Sequence, residues 1–112
     1  MLISIPVVEG VLSMHFGHAS EYRFFEVDDN TKEITNTFSK TPPAHAPGVL
    51  PAWLHEQGAN VILAGGMGQR AVGLFQQNGI DVVIGAPSID PEDVAKQFLD
   101  GTLQTGQNIC DH

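Results

Sequence analysis

The sequence predicts an α/β fold in which a five-stranded mixed sheet carries helices on both faces. Three observations point there. Short apolar, β-branched runs recur along the chain, those in its second half alternate with stretches of helical periodicity, and a hairpin pattern follows the first strand. The chain has 112 residues, 12 of them glycine and 7 proline, as expected for one tightly turned domain spanning residues 1–112 around one core.

Leu2–Val8 is an apolar run that predicts a buried central strand. Residues 9–20 lack periodicity and read as a loop carrying His15 and His18. Residues 22–27, the turn Asp28-Asp29-Asn30 and residues 33–38 predict a hairpin. Pro42, Pro43 and Pro47 keep residues 40–48 irregular, and this long loop carries His45. Val49, Leu50, Trp53 and Leu54 give a first helix its apolar face, leave His55 and Glu56 toward water and meet a stop at Gly58.

Residues 60–64 predict the fourth strand, and Gly65-Gly66-Met67-Gly68 a tight turn. Met67, Ala71, Leu74 and Phe75 then form the buried stripe of a second helix ending near Gly79, and residues 80–84 the fifth strand. Asp90-Pro91-Glu92-Asp93 combines a capping acceptor, a proline in the first turn and two acids, and so starts a third helix that Gly101 ends. The tail, residues 102–112, has little apolar content.

Right-handed crossovers make the first, fourth and fifth strands parallel neighbours, with the hairpin on the other side, in the spatial order 3-2-1-4-5. The connections leaving strands one, three and four then emerge along one edge. The loops bearing His15 and His18, His45, and the glycine turn converge near the point where strand order reverses, where open α/β sheets bind ligands.

Charge and composition exclude several functions. Thirteen acidic against five basic residues give a net charge of −8, which repels nucleic acid and anionic membranes. The N-terminal run lacks a basic flank and is interrupted by Pro6 and Glu9, and no stretch reaches the length of a membrane helix, so a cytoplasmic protein is expected. A lone Cys110 cannot form an internal disulfide. The serines lie in no nucleophile-elbow pattern, and the carboxylates sit mostly at turns and helix starts, so a catalytic role is not expected.

What remains is ligand chemistry. In His15-Phe16-Gly17-His18-Ala19 two imidazoles two residues apart can reach one metal from a bent loop, with Gly17 permitting the bend and Phe16 anchoring it; surface hydrogen bonding is the alternative use of these histidines. Cys110-x-His112 adds a thiolate and an imidazole, which suit zinc, copper or an iron-sulfur cluster, but one cysteine cannot by itself hold a permanent cluster. Gly65, Gly66, Met67 and Gly68 lie between a strand and a helix, where exposed N–H groups favour an anion, although a plain turn reads the same. The match of Gly66-x-Gly68-x-x-Ala71 to a dinucleotide fingerprint lacks an acidic residue at the end of the next strand. Arg70 is the one fixed positive charge beside this turn.

The first strand, the His15-Phe16-Gly17-His18-Ala19 loop, the His45 loop, the Ala64-Gly65-Gly66-Met67-Gly68-Gln69-Arg70-Ala71 turn and the Cys110/His112 tail together resemble the dinitrogenase iron-molybdenum cofactor biosynthesis family. The resemblance covers essentially the whole chain. It implies a three-layer ribonuclease-H-like α/β/α fold and a role as carrier or assembly partner for an iron-sulfur or molybdenum-containing metal-sulfur cluster. Some members are similar carriers of a molybdenum-copper sulfide. The sites implied are His15, His18, His45, Cys110 and His112 toward metal, and Gly65, Gly66, Met67, Gly68 and Arg70 toward the cluster as an anion. Cofactor-assembly or acceptor proteins would be the partners. The rival readings are a small nucleotide-binding enzyme or regulatory module using the glycine turn, and an assembly adaptor that binds no metal.

Overall fold

Strand alternation decides the layering. The computed structural model of the protein describes residues 1–44, 46 and 48–106. In β1 (Leu2–Val8), Ile3, Ile5 and Val7 are fully buried in one apolar cluster, while Leu2 packs against another on the opposite face. β3 (Glu21–Val27) divides in the same way, sending Phe25 and Val27 to the first cluster and Tyr22 and Phe24 to the second. In β5 (Val61–Leu63) Ile62 faces opposite to Val61 and Leu63.

The first cluster is closed by α3 (Pro91–Asp100) through Val94 and Ala95. The second is closed by α1 (Val49–Gln57) through Leu50 and Leu54, and by α2 (Gln69–Gln77) through Phe75. Helices therefore lie on both faces, and the sheet separates two apolar clusters where one core is expected from chain length. A sheet covered on both faces needs apolar residues at consecutive positions, which is why β1 and β5 read as continuous runs rather than alternating ones.

The sheet has six strands, which corrects the expected five and changes the numbering of their order. The path is β4 (Ile34–Lys40), β3, β1, β5 and β6 (Asp81–Val83), with β2 (Val11–Leu12) pairing with β1 off that path. β1 runs antiparallel to β2 and β3 and parallel to β5, and β5 runs parallel to β6. The added strand exists because Glu9 and Gly10 both take positive φ, 52° and 82°, and turn the chain back so that Val11 pairs with Val8 and Leu12 with Val7. Such a two-residue turn matches the twist of a hairpin. Its apolar return segment buries Leu12 completely.

Other boundaries shift with hydrogen bonding. β4 runs on to Lys40, whose partner is Tyr22, and β5 and β6 shorten to three residues each. Met67 is fully buried but precedes α2, so it anchors the turn instead of belonging to the helix stripe. Asp90 holds the N-cap position of α3 without a side-chain capping bond. No helix among the described residues is long and apolar enough to cross a membrane.

Ile62, fully buried between the central strand and the α1–α2 layer, provides a test of this layering. Ile62→Ala should destabilise the fold by about 2–5 kcal/mol, while Thr37→Ala on exposed β4 should change it by less than about 0.5 kcal/mol. Urea unfolding of the two variants reads both. Equal small effects would show that the second cluster is not close-packed.

Candidate functional site

Strand direction brings the loops together. Val7 pairs with Glu21, Tyr22 with Lys40, and Leu63 with Val83, so the C-terminal ends of β1, β4, β5 and β6 and the start of β3 share one edge of the sheet. The loops of residues 9–20, 41–48, 64–68 and 84–90 all leave from that edge. The first and third touch. A Cβ placed on Gly65 would lie 3.0 Å from the Met14 Cα, so the absence of a side chain lets the histidine-bearing loop lie directly on the glycine turn.

The histidine loop is a short 3₁₀ turn, Phe16–His18, fastened from below. The His18 N–H and the Ser13 hydroxyl both donate to the His15 carbonyl, at 3.0 and 2.8 Å. The Tyr22 hydroxyl donates to the Phe16 carbonyl at 3.0 Å, and the Phe16 ring stands edge-on to Phe75 with centroids 5.7 Å apart. Burial pushes the Tyr22 phenol well above its ordinary pKa, keeping it a neutral donor. Gly17 takes no positive φ, so the bend comes from the 3₁₀ turn and not from a glycine-only conformation.

His15 and His18 are exposed, with ring centroids 5.6 Å apart and planes tilted by 47°. Two imidazoles on one tetrahedral metal stand roughly 5 Å apart, given metal–nitrogen bonds of about 2 Å. The spacing is compatible with a shared ion.

The glycine turn contributes unequally. Gly65 is covered by Met14, Gly66 is buried, and the Met67 side chain belongs to the core. Gly68 and Arg70 instead line a cleft of about 320 Å³ together with Phe16, Gly48, Leu50 and Ala71. Gly68 is the N-cap of α2 and Gly48 that of α1, and neither helix start has a side-chain cap. Two helix N-termini therefore border one cleft, each with N–H groups suited to an anion. Arg70 is exposed and makes no ion pair or side-chain hydrogen bond among the described residues. Across the Phe16 ring lies a second cleft of about 210 Å³, bordered by Gly17, Ser20, Tyr22, Pro42 and Leu50.

His45, Cys110 and His112 lie outside the described residues. Among those described, no group of three or more histidine, cysteine or acidic side chains could hold a metal ion, so this part of the edge offers the two imidazoles of His15 and His18 and not a complete chelate. A larger cavity of about 680 Å³ lies between Thr31–Glu33 and the end of α3, at the opposite edge. Sequence reasoning missed Met14 and Tyr22. The signal for Tyr22 was available, because a tyrosine on the buried face of a strand needs an acceptor for its hydroxyl.

The sequence profile described as Dinitrogenase iron-molybdenum cofactor matches residues 1–101. The chain belongs to this family. The uncharacterized protein MJ0580 of Methanocaldococcus jannaschii is 32% identical to it over 109 residues, covering 93% of this chain and 90% of that protein. The crystal structure of PH0822 superposes with a TM-score of 0.83 at 30% identity, covering 94% of both chains. The apo form of the orange protein of Desulfovibrio gigas shares the fold, with a TM-score of 0.72, 23% identity, and coverage of 96% of this chain and 93% of that one.

Tyr22→Phe should remove the tie to Phe16 at a cost of about 0.5–1.5 kcal/mol and speed amide exchange at His18. Because the folded phenol titrates above its unfolded value of about 10, the Tyr22 contribution is fully present below that pH and is lost as pH rises through and beyond it. Tyr22 is the single tyrosine, so phenolate absorbance reports it alone. Ionisation of the folded protein near pH 10, with no unfolding, would show that the hydroxyl is not held as described.

Proposed function

We propose that this protein is a non-catalytic carrier of an iron-sulfur or molybdenum-containing metal-sulfur cofactor, which it holds at the loop edge and passes to assembly or acceptor proteins. The observation that carries this reading is the grouping, around one edge, of the exposed His15–His18 pair, the uncapped start of α2 at Gly68 and Arg70, which has no ion pair among the described residues. A metal-sulfide cluster is a large anion. In a chain of net charge −8, these are groups that attract one. Family membership supports the same chemistry.

In this reading the backbone of Gly66 and Gly68 and the Arg70 guanidinium hold the cluster's charge, with Gly65 and Met67 shaping the turn. His15 and His18 are its first metal contacts, and His45, Cys110 and His112 complete them. Few covalent bonds favour release, as delivery requires, whereas a permanent redox centre takes a fuller thiolate set. In the same reading the layered arrangement is a ribonuclease-H-like fold, and residues 1–112 act as one domain in the cytoplasm. The fold name brings no nuclease chemistry with it.

Anaerobic reconstitution with iron, sulfide and molybdate, followed by visible absorption and elemental analysis, tests the proposal. The expected result is stoichiometric colour that is retained by Thr37→Ala, reduced severalfold by Gly68→Val and by the His15→Ala/His18→Ala pair, and lost faster from Cys110→Ser. Thermal stabilisation by a nucleotide with no metal uptake would replace the carrier with a nucleotide-binding module. Absence of both would leave an adaptor.

A further inference from the structure

The two edges of the sheet are unequally protected. An edge strand presents unpaired N–H and C=O groups, which natural proteins guard by keeping the strand short or by placing charge or proline on it. β6 is three residues long and carries the exposed Asp81. β4 is seven residues long, ends the strand path and, among the described residues, pairs with β3 alone. From Ile34 to Ser39 it holds neither charge nor proline, and Thr35, Asn36, Thr37 and Ser39 are exposed.

The register shift at Glu26/Val27 skips Thr35, so the regular part of β4 runs from Asn36 to Lys40. Its midpoint is Phe38. That side chain is half-buried, with its ring stacked on Phe24 at 5.1 Å between centroids and 15° between planes. The cross-strand partners place Tyr22, Phe24 and Glu26 on one face of the sheet with Lys40, Phe38 and Asn36. The aromatic row on this face stops at the open edge, although cross-strand aromatic pairs stabilise a sheet.

We propose that β4 is the interface of a two-fold dimer, in which two copies of this chain pair antiparallel about Phe38 and join their sheets into one. A two-fold axis through the midpoint sets Phe38 opposite the second copy's Phe38, Thr37 opposite its Ser39 and Asn36 opposite its Lys40. The outward backbone groups of residues 36–40 then find partners, and the Phe24–Phe38 row continues into its own image. No like charges meet across the axis. Lys40, whose ammonium lies over the Phe38 ring at 5.7 Å, faces the second copy's Asn36, behind which stands its Glu26. The stretch is thus complementary to itself in backbone polarity, aromatic content and charge, which singles out a second copy as its occupant. The paired strands run in opposite directions, so the loop edges bearing His15 and His18 lie at opposite ends of the dimer. The interface does not depend on the function proposed above.

Sedimentation equilibrium of the full-length, metal-free chain tests the dimer. The mass should rise with concentration from that of one chain toward that of two, and more steeply as salt screens the repulsion between chains of charge −8. Thr37→Lys adds a charge at an exposed position beside the axis, and should keep the protein monomeric with its thermal transition nearly unchanged. Disulfide trapping in a Cys110→Ser background reads the register, because directly opposite residues of an antiparallel pair stand about 4.5–5.5 Å apart at Cα, within disulfide reach. A mixture of Thr37→Cys and Ser39→Cys chains should cross-link severalfold faster than either chain alone. A protein that stays monomeric into the millimolar range would overturn the proposal and leave the edge to a strand of another protein. Dimerisation unchanged by Thr37→Lys, or cross-linking that does not depend on mixing the two cysteine variants, would overturn it as well.

Discussion

The parallel pairing of β1 with β5 is the constraint from which the gathering of loops at one edge follows. Ile3 pairs with Val61 and Ser4 with Ile62, and the buried Ser4 hydroxyl donates to the Val61 carbonyl at 2.9 Å, fastening the two strands between the helical layers. Parallel neighbours cannot be joined by a tight turn. The chain must return to the same starting end, and here it does so through the β3–β4 hairpin and α1. Both strands then finish at one edge, and the histidine loop and the glycine turn follow them there. Moving either loop elsewhere would require breaking the centre of the sheet.

Much of this was legible because it rests on burial. A strand covered on both faces shows as an unbroken apolar run, and the runs at 2–8 and 60–64 fix both the parallel pair and the edge where His15 and His18 emerge. β2 was not legible. Its turn is Glu9-Gly10, in which Glu9 adopts a conformation disfavoured for a side-chain-bearing residue, and only the surrounding packing selects it. Met67 was read one element too late, since a buried methionine beside a helix looks like part of the helix. The path of residues 102–106 escaped because five residues with one apolar side chain, Leu103, carry no periodic pattern; their position depends on backbone bonds to Gln97 and Gly85 that leave no trace in composition.

The site also shows how an acidic protein can present a surface suited to an anion. Three of the five basic side chains are engaged: Arg23 with Glu21, Lys40 with Gln57, and Lys96 with Glu92. Arg70 lines the cleft of about 320 Å³ at the loop edge. Beside it, the peptide N–H groups at the starts of α1 and α2 add positive potential that carries no titratable proton.

Phe16 stands between the clefts of about 320 and 210 Å³, with its carbonyl held by Tyr22 and its ring against Phe75. The wall between the two clefts is thus shared by Phe16 and Leu50, the two residues that border both. A change of size at either side chain would alter that wall while leaving the strands and helices in place. The partition of the edge is accordingly set by two side chains from different elements, one on the histidine loop and one on α1, and it can be retuned by substitution there while the sheet that places both loops stays constant.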